Sequence, residues 1–166
     1  MADTTEDTTP ALRLVEVTLD NYRDVMALET TPEQVCFVAD NAEALADCVY
    51  VEGFVPRAAM LGDEVVGLVV WGPYYPDERY QEPPEPNVYQ LDHVMLDVNF
   101  QGQGLGSKLI DLAVKELSFI GDCNRIVLAV EPANARAIKV YRRAGFKECG
   151  RDHENDILMD REPILD

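Results

Sequence analysis

The sequence predicts an α/β fold in a single domain, and three observations carry that reading. Two apolar runs flank Gly62-Asp63, the pattern of a β-hairpin. A long strand-like run, Val88–Asp97, breaks into glycines and leads directly into an amphipathic helix. Strand and helix signals then alternate toward the end of the chain. At 166 residues the chain is long enough to bury a proper core.

Residues 1–10 are polar and acidic, and read as a disordered leader ahead of one domain over 11–166. Leu12, Leu14 and Val17 suggest a first strand over Leu12–Thr18. Asp20 is placed to cap a helix over Asn21–Glu29, with Tyr22, Val25, Met26 and Leu28 on one face. Thr31-Pro32-Glu33 offers a second cap with proline at the first helical position. Ala42, Leu45, Ala46 and Val49 put a further helix over Asn41–Tyr50.

The hairpin strands are Arg57–Leu61 and Glu64–Gly72. Pro73–Pro86 holds five of the ten prolines, which makes it a loop, and one long enough to serve as a lid. After the glycines, Leu105, Leu109, Leu112, Ala113 and Leu117 share one helix face. Arg125–Val130 is an apolar strand. Pro132-Ala133-Asn134 opens a helix carrying Ala137, Ile138 and Tyr141, which Gly145 closes. Phe146–Cys149 and Asp156–Asp160 complete the chain as two short strands.

Asp and Glu number 31 against 14 Lys and Arg, a formal net charge of −17. Such a charge argues against nucleic acid and anionic membranes as partners, because like charge repels at long range. Two readings of the acidity stand side by side. It draws in cationic small molecules, or it solvates the surface in high salt, where carboxylates replace lysine; only four lysines are present. No apolar run approaches the ~20 residues of a transmembrane helix, and the acidic N-terminus is unlike a signal peptide. A cytoplasmic protein is the expectation. Cys36, Cys48, Cys123 and Cys149 are widely spaced and only His93 and His153 accompany them, so no metal site is expected. A homodimer is compatible with the sequence.

The chemistry centres on Asn99-Phe100-Gln101-Gly102-Gln103-Gly104-Leu105-Gly106-Ser107-Lys108. Glycines between a strand and a helix leave a row of free backbone N–H groups at the helix start, where the macrodipole favours negative charge. That is a cradle for a phosphate-bearing molecule. A nucleotide P-loop would end in Gly-Lys-Ser/Thr, whereas here Lys108 follows Ser107. A dinucleotide fingerprint would need a glycine where Ser107 stands. A purely structural turn is the remaining alternative.

Gln101-x-x-Gly104-x-Gly106 resembles the Gln/Arg-x-x-Gly-x-Gly/Ala signature of the GNAT superfamily of N-acetyltransferases. Asn134-x-x-Ala137-x-x-x-Tyr141-x-x-x-Gly145-Phe146 is similar to that family's second block, and the element order over residues 12–160 also fits. The resemblance implies a mixed, mostly antiparallel central sheet flanked by helices, with acetyl-CoA as co-substrate. It implies that Gln101, Gly102, Gln103, Gly104, Leu105, Gly106 and Ser107 hold the pyrophosphate. The pantetheine arm would then pair with the strand edge at Val94, Met95 and Leu96, where that strand parts from Arg125–Val130. Asn134 would place the arm and Tyr141 would approach the thioester sulfur.

The implied reaction is direct attack of a primary amine on the thioester. An amine with a pKa near 10.4 is almost wholly protonated at pH 7, and freeing its lone pair costs roughly 4–5 kcal/mol. A base must take the ammonium proton, and the departing thiolate benefits from an acid. Tyr141 is the candidate acid. Asp92 is the first candidate base, near the register of the carboxylate proposed for that role in polyamine-acetylating relatives. It needs a raised pKa or a water relay. His93 titrates better, but strand alternation turns it to the opposite face.

Leu12–Val17, Glu33–Ala39 followed by Asn41, and Tyr89-Gln90-Leu91-Asp92 resemble the bacterial spermine/spermidine acetyltransferases, which implies a polyamine acceptor. A polyamine wants carboxylates spaced along a groove and aromatic faces for cation–π contact. Glu29, Glu33, Asp40, Trp71, Tyr74 and Tyr75 are the candidates, each also readable as a solvated charge or a packing ring. Other amines (an aminoglycoside, an amino acid, a protein N-terminus) are alternative acceptors. A non-catalytic acyl-CoA-binding protein is the reading from another class, and the presence of both Asn134 and Tyr141 argues against it.

Overall fold

The computed structural model describes residues 9–77 and 80–165, so the expected leader lies outside the described residues but for Thr9 and Pro10, which are exposed. Seven strands form one sheet in the order β1-β2-β3-β4-β5-β7-β6. These are β1 (Leu12–Glu16), β2 (Val55–Leu61), β3 (Glu64–Pro73), β4 (Val88–Leu96), β5 (Arg125–Val130), β6 (Lys147–Arg151) and β7 (Ile157–Arg161). Only β4 and β5 run parallel; every other neighbouring pair is antiparallel. The central β3 is a near-continuous apolar run because both of its faces are covered.

Helices α1 (Tyr22–Met26) and α2 (Asn41–Tyr50) cover one face, where Val25, Ala44, Phe54, Leu68, Val70 and Met95 form a core. Helices α3 (Leu105–Ser118) and α4 (Ala135–Arg143) cover the other. There Leu109, Ile110, Ala113 and Leu117 of α3 pack on Val66, Val69 and Leu128, with Ile138 and Phe146 closing the cluster.

The elements largely follow the sequence, and the departures have local causes. The first helix is a short one capped by Asn21, not Asp20, and the Asn21 side-chain oxygen accepts from Thr18 N at 2.8 Å. No helix follows Thr31-Pro32-Glu33. Residues 32–37 run as turns held by Gln34 N→Thr31 O and Phe37 N→Gln34 O, too short a run to nucleate a helix against its entropy. Helix α4 starts after Asn134, whose side-chain oxygen caps Ala137 N at 3.2 Å, rather than at Pro132. Phe146, read as the start of a strand, is buried in the core ahead of β6.

Two irregularities of β4 open the sheet and redirect its side chains. β4 pairs with β3 as far as Leu96, but with β5 only through Val88, Tyr89 and Gln90. Beyond Gln90 the sheet opens between β4 and β5. The β3–β4 ladder also slips: Val70 faces His93 and Trp71 faces Leu91, leaving Asp92 as the extra residue of a β-bulge.

At the end of β4 the buried Asp97 carboxylate accepts from Glu29 N, Asn99 N and Asn99 Nδ2, each at 2.9 Å. Val98 N returns a bond to Glu29 O at 2.8 Å. This knot ties the segment after α1 to the strand end that feeds the glycines. Asp97→Ala leaves three donors without their acceptor and is expected to lower unfolding stability by about 3 kcal/mol, seen as a fall in the urea midpoint at unchanged slope. A loss under ~1 kcal/mol would show that the knot is held by other contacts.

Candidate active site

The opening beside β4 contains a cavity of about 360 Å³. Its walls are Val94, Met95 and Leu96 of β4, then Gln101, Gly102, Gly104, Gly106 and Ser107 of the following loop and helix start, and the α4 face bearing Ala137 and Tyr141. Gly102 and Gly104 have φ of +78° and +77°, a left-handed conformation that glycine adopts without strain. Gly104 is the N-cap of the 14-residue α3, and no side chain caps that end. A Cβ built on Gly102, Gly104 or Gly106 meets no atom within 4 Å. The backbone here is open to an approaching anion, with the positive end of the helix dipole behind it. Arg136, Lys139 and Arg143 of α4 line the same cavity.

A second cavity, about 640 Å³, adjoins the first. The two share Phe37, Val38, Val94, Asn134, Ala137 and Tyr141. Its rim is acidic: Asp47, Asp92, Glu131, Glu154 and Asp156 all line it. Burial raises the carboxyl of Asp47, with Glu43 adding to the effect. Asp156 is raised by burial, then by Asp152 and Glu131.

Asp92 is exposed to solvent along the cavity, yet the surrounding wall partly desolvates its carboxyl. That desolvation, with the charge of Asp47 behind it, pushes its carboxyl up to about 6, against the opposing hydrogen bond from Tyr80. Its Oδ1 accepts from Tyr80 OH at 3.3 Å and from Gln90 Nε2 at 3.2 Å.

His93 does not lie on the opposite face, as strict alternation required. The bulge sends consecutive side chains toward α2: Asp92 toward Asp47, His93 onto Asn41. His93 is buried, and its Nε2–H donates to Asn41 Oδ1 at 3.1 Å. Asn41 Nδ2 in turn donates to Val25 O and Leu28 O, which fixes the orientation of its amide. Burial holds the His93 ring down at about 4, so it is neutral and engaged in packing α1 and α2.

Tyr141 lies on the boundary between the cavities. Burial alone pushes its phenol up to about 12, keeping the proton on oxygen at neutral pH, and its ring packs edge-on against Phe146 at 6.1 Å.

Other candidate residues fall differently. Gln103 and Leu105 of the glycine loop do not line the first cavity: both line a separate groove with Leu12, where Leu105 is buried. Trp71, expected to meet the acceptor, is instead buried in the α3-side core with Arg57 stacked 5.8 Å from its ring centroid. Asp40 is spent as the N-cap of α2, accepting from Ala42 N at 2.7 Å. Glu29 and Asp40 line a separate surface hollow behind Val38, and Glu33 is an exposed turn residue. Tyr75 bonds Glu52 O at 3.0 Å and packs on Phe54 and Tyr80. Tyr74 pairs with Val88 O through its backbone. The acidic residues that do ring the cavity come mostly from α2, the end of β5 and the β6–β7 turn, which no local pattern had marked.

The profile of the acetyltransferase (GNAT) family matches residues 19–146. The chain belongs to this family. Spermine/spermidine N(1)-acetyltransferase of Bacillus subtilis (strain 168) is 26% identical over 153 residues, covering 92% of this chain and 99% of that protein. Aminoglycoside N(6')-acetyltransferase type 1 of Klebsiella pneumoniae is 32% identical over 103 residues, covering 60% of this chain and 50% of that protein. A solved structure of aminoglycoside acetyltransferase AAC(6')-Ib with ribostamycin and coenzyme A superposes with a TM-score of 0.76 at 23% identity, covering 92% and 93% of the two chains. That likeness establishes the fold, a mixed and mostly antiparallel sheet flanked by helices.

As a GNAT enzyme the protein takes acetyl-CoA as its acyl donor. The residues present fit that group: an uncapped helix start for the pyrophosphate, an unpaired strand edge at Val94–Leu96, and three α4 cations in a chain of net charge −17. Among the described residues no helix is long and apolar enough to cross a membrane.

His93 and Asp92 make opposite contributions to stability with pH. His93 binds its proton less tightly when folded, so between about 4 and 6.5 its contribution rises with pH. Asp92 binds its proton more tightly when folded, so between 3.8 and about 6 its contribution falls as pH rises. Asp92→Asn is therefore expected to steepen the gain in stability from pH 4 to 6.5, and His93→Gln to reverse it. Chemical denaturation across that range reads both slopes, and identical profiles in the two variants would contradict the assignment.

Proposed function

We propose that the protein acetylates a primary amine of a polyamine such as spermidine or spermine. The observation that carries this reading is the ring of five carboxylates, Asp47, Asp92, Glu131, Glu154 and Asp156, around a cavity that adjoins the donor cavity. Crowded, partly desolvated carboxylates raise one another's pKa and welcome a cation that relieves their repulsion. A chain with several ammonium groups can engage several of them at once while one end reaches Tyr141. The 26% identity to spermine/spermidine N(1)-acetyltransferase along nearly its whole length supports the same acceptor.

In this reading the cradle from Gln101 to Ser107 and the α4 cations hold the phosphates of acetyl-CoA, and Val94–Leu96 and Asn134 align its arm. Asp92, carrying a carboxyl raised to about 6, accepts a proton from the ammonium directly or through water, which frees the amine for attack. Tyr141 keeps its phenolic proton and supplies it to the departing sulfur. The amine loses a proton, the thiol gains one, and the acetyl group moves from sulfur to nitrogen.

A second acceptor class shares the chemistry. Aminoglycosides are also polycations, and the 32% identity over 103 residues to an aminoglycoside acetyltransferase favours them. A panel of spermidine, spermine, an aminoglycoside, an amino acid and a peptide, with acetyl-CoA and thiol detection from low to molar salt, separates these. Thiol release is expected with the polyamines above all; release with the aminoglycoside alone would replace the polyamine reading, and none with any amine would remove the enzyme reading.

Tyr141→Phe is expected to lower kcat by about 10²-fold or more while leaving acetyl-CoA binding within about threefold, since general-acid assistance contributes 10²–10⁴. Unchanged turnover would remove Tyr141 as the acid. The wild-type kcat/KM is expected to fall as pH drops through about 6, where Asp92 takes up a proton.

A further inference from the structure

The segment 30–39 forms part of both cavities without belonging to any helix or strand. Thr30 and Gln34 line the donor cavity, Cys36 and Ala39 the acceptor cavity, and Phe37 and Val38 line both. One end is held at Glu29 by the Asp97 knot, and the other runs into the N-cap of α2 at Asp40. Between these, a reciprocal pair of side-chain amides is the only hydrogen-bonded link from the segment to the rest of the fold among the described residues. Gln34 Nε2 donates to Gln101 Oε1 at 3.0 Å, and Gln101 Nε2 donates back to Gln34 Oε1 at 2.8 Å.

Both partners are themselves anchored. Gln101 Nε2 also donates to Leu96 O at 2.9 Å, at the last residue of the unpaired edge of β4, and Gln101 opens the glycine loop. On the other side, Phe37 N donates to Gln34 O at 2.9 Å, so the position of Gln34 sets that of the residue lining both cavities. A reciprocal amide pair has strict geometry: two bonds form together or neither forms well. Whatever stills the glycine loop therefore favours the docked state of segment 30–39.

We propose that Gln34 is a positioning residue whose amide pair with Gln101 transmits donor binding to the wall of the acceptor cavity. The acceptor half rests on the proposed function of the second cavity; the donor half does not. Gln34 does not line the acceptor cavity, so its influence there runs through Phe37 and Val38. Because coupling between sites is reciprocal, an acceptor that holds segment 30–39 in place also tightens the donor.

Hydrogen exchange on the full chain, with coenzyme A as the sole ligand, tests the link without any amine. Coenzyme A is used at concentrations that protect residues 101–107 fully in each variant. In the wild type it is expected to slow exchange over residues 35–39 by about fivefold or more, the lower end of ordinary allosteric coupling. In Gln34→Leu, which keeps size but loses both bonds, the effect on 35–39 is expected to drop below about twofold. Gln34→Glu keeps the oxygen that accepts from Gln101 Nε2 and is expected to retain most of it. Undiminished protection of 35–39 in Gln34→Leu, or none in the wild type, overturns the proposal.

For an amine that the panel shows to be turned over, Gln34→Leu is expected to raise its KM about fivefold with kcat within about twofold, as a coupled rather than a reacting residue would. An unchanged acceptor KM overturns the acceptor half. Failure of the amine panel removes the acceptor chemistry and leaves the exchange result to stand or fall alone.

Discussion

The structure depends on one parting of strands. β4 and β5 share parallel hydrogen bonds at Val88, Tyr89 and Gln90 and then separate, while β4 goes on pairing with β3 to Leu96 and β5 with β7 to Val130. An unpaired strand edge inside a sheet is costly unless something occupies it, since buried backbone groups need partners. The opening is tolerable because it faces a cavity, where water or a ligand's amides can reach Val94–Leu96. The glycine loop and Asn134 lie at this same opening because α3 follows β4 directly and α4 follows β5. Two helix starts therefore converge where the sheet divides, and one of them is left without a side-chain cap.

The bulge at Asp92 belongs to the same logic. A regular strand would have turned Asp92 and His93 to opposite faces. With one extra residue in β4, both turn toward α2, and their environments then pull their titrations in opposite directions. His93 is buried against Asn41 and becomes part of the packing; Asp92, at the cavity wall, has its carboxyl raised to about 6. One irregularity in the ladder thus separates a packed residue from one at a cavity wall.

This division also explains what could be read from the chain beforehand. The hairpin, the long strand, α3 and β5 were legible because their apolar spacing is strong and local, and the open glycine turn before α3 because its glycines sit in one short stretch. The acceptor wall was not. Trp71 and Asp40 looked like ligands by residue type, yet one packs under Arg57 and the other caps α2. Asp47, Glu131 and Asp156 carried no local mark, because only the sheet topology brings α2, the end of β5 and the β6–β7 turn to one rim. His93 was misplaced for a related reason: a bulge is a property of two paired strands, and alternation along one strand cannot reveal it.

The charge of the molecule resolves into a local and a global part. In a chain with 31 acidic and 14 basic residues, three cations line the donor cavity and five carboxylates line its neighbour. Charge is therefore sorted across a boundary marked by Tyr141 and Asn134, basic on one side and acidic on the other. The rim of the second cavity uses five of the 31 acidic residues, and the other 26 lie elsewhere in the chain. Screening distinguishes the two parts: exposed charges beyond a Debye length of about 8 Å at physiological salt act on solvent more than on a ligand. The carboxylates of Asp47, Asp92 and Asp156 are partly desolvated, so salt screens them less than it screens fully exposed charges.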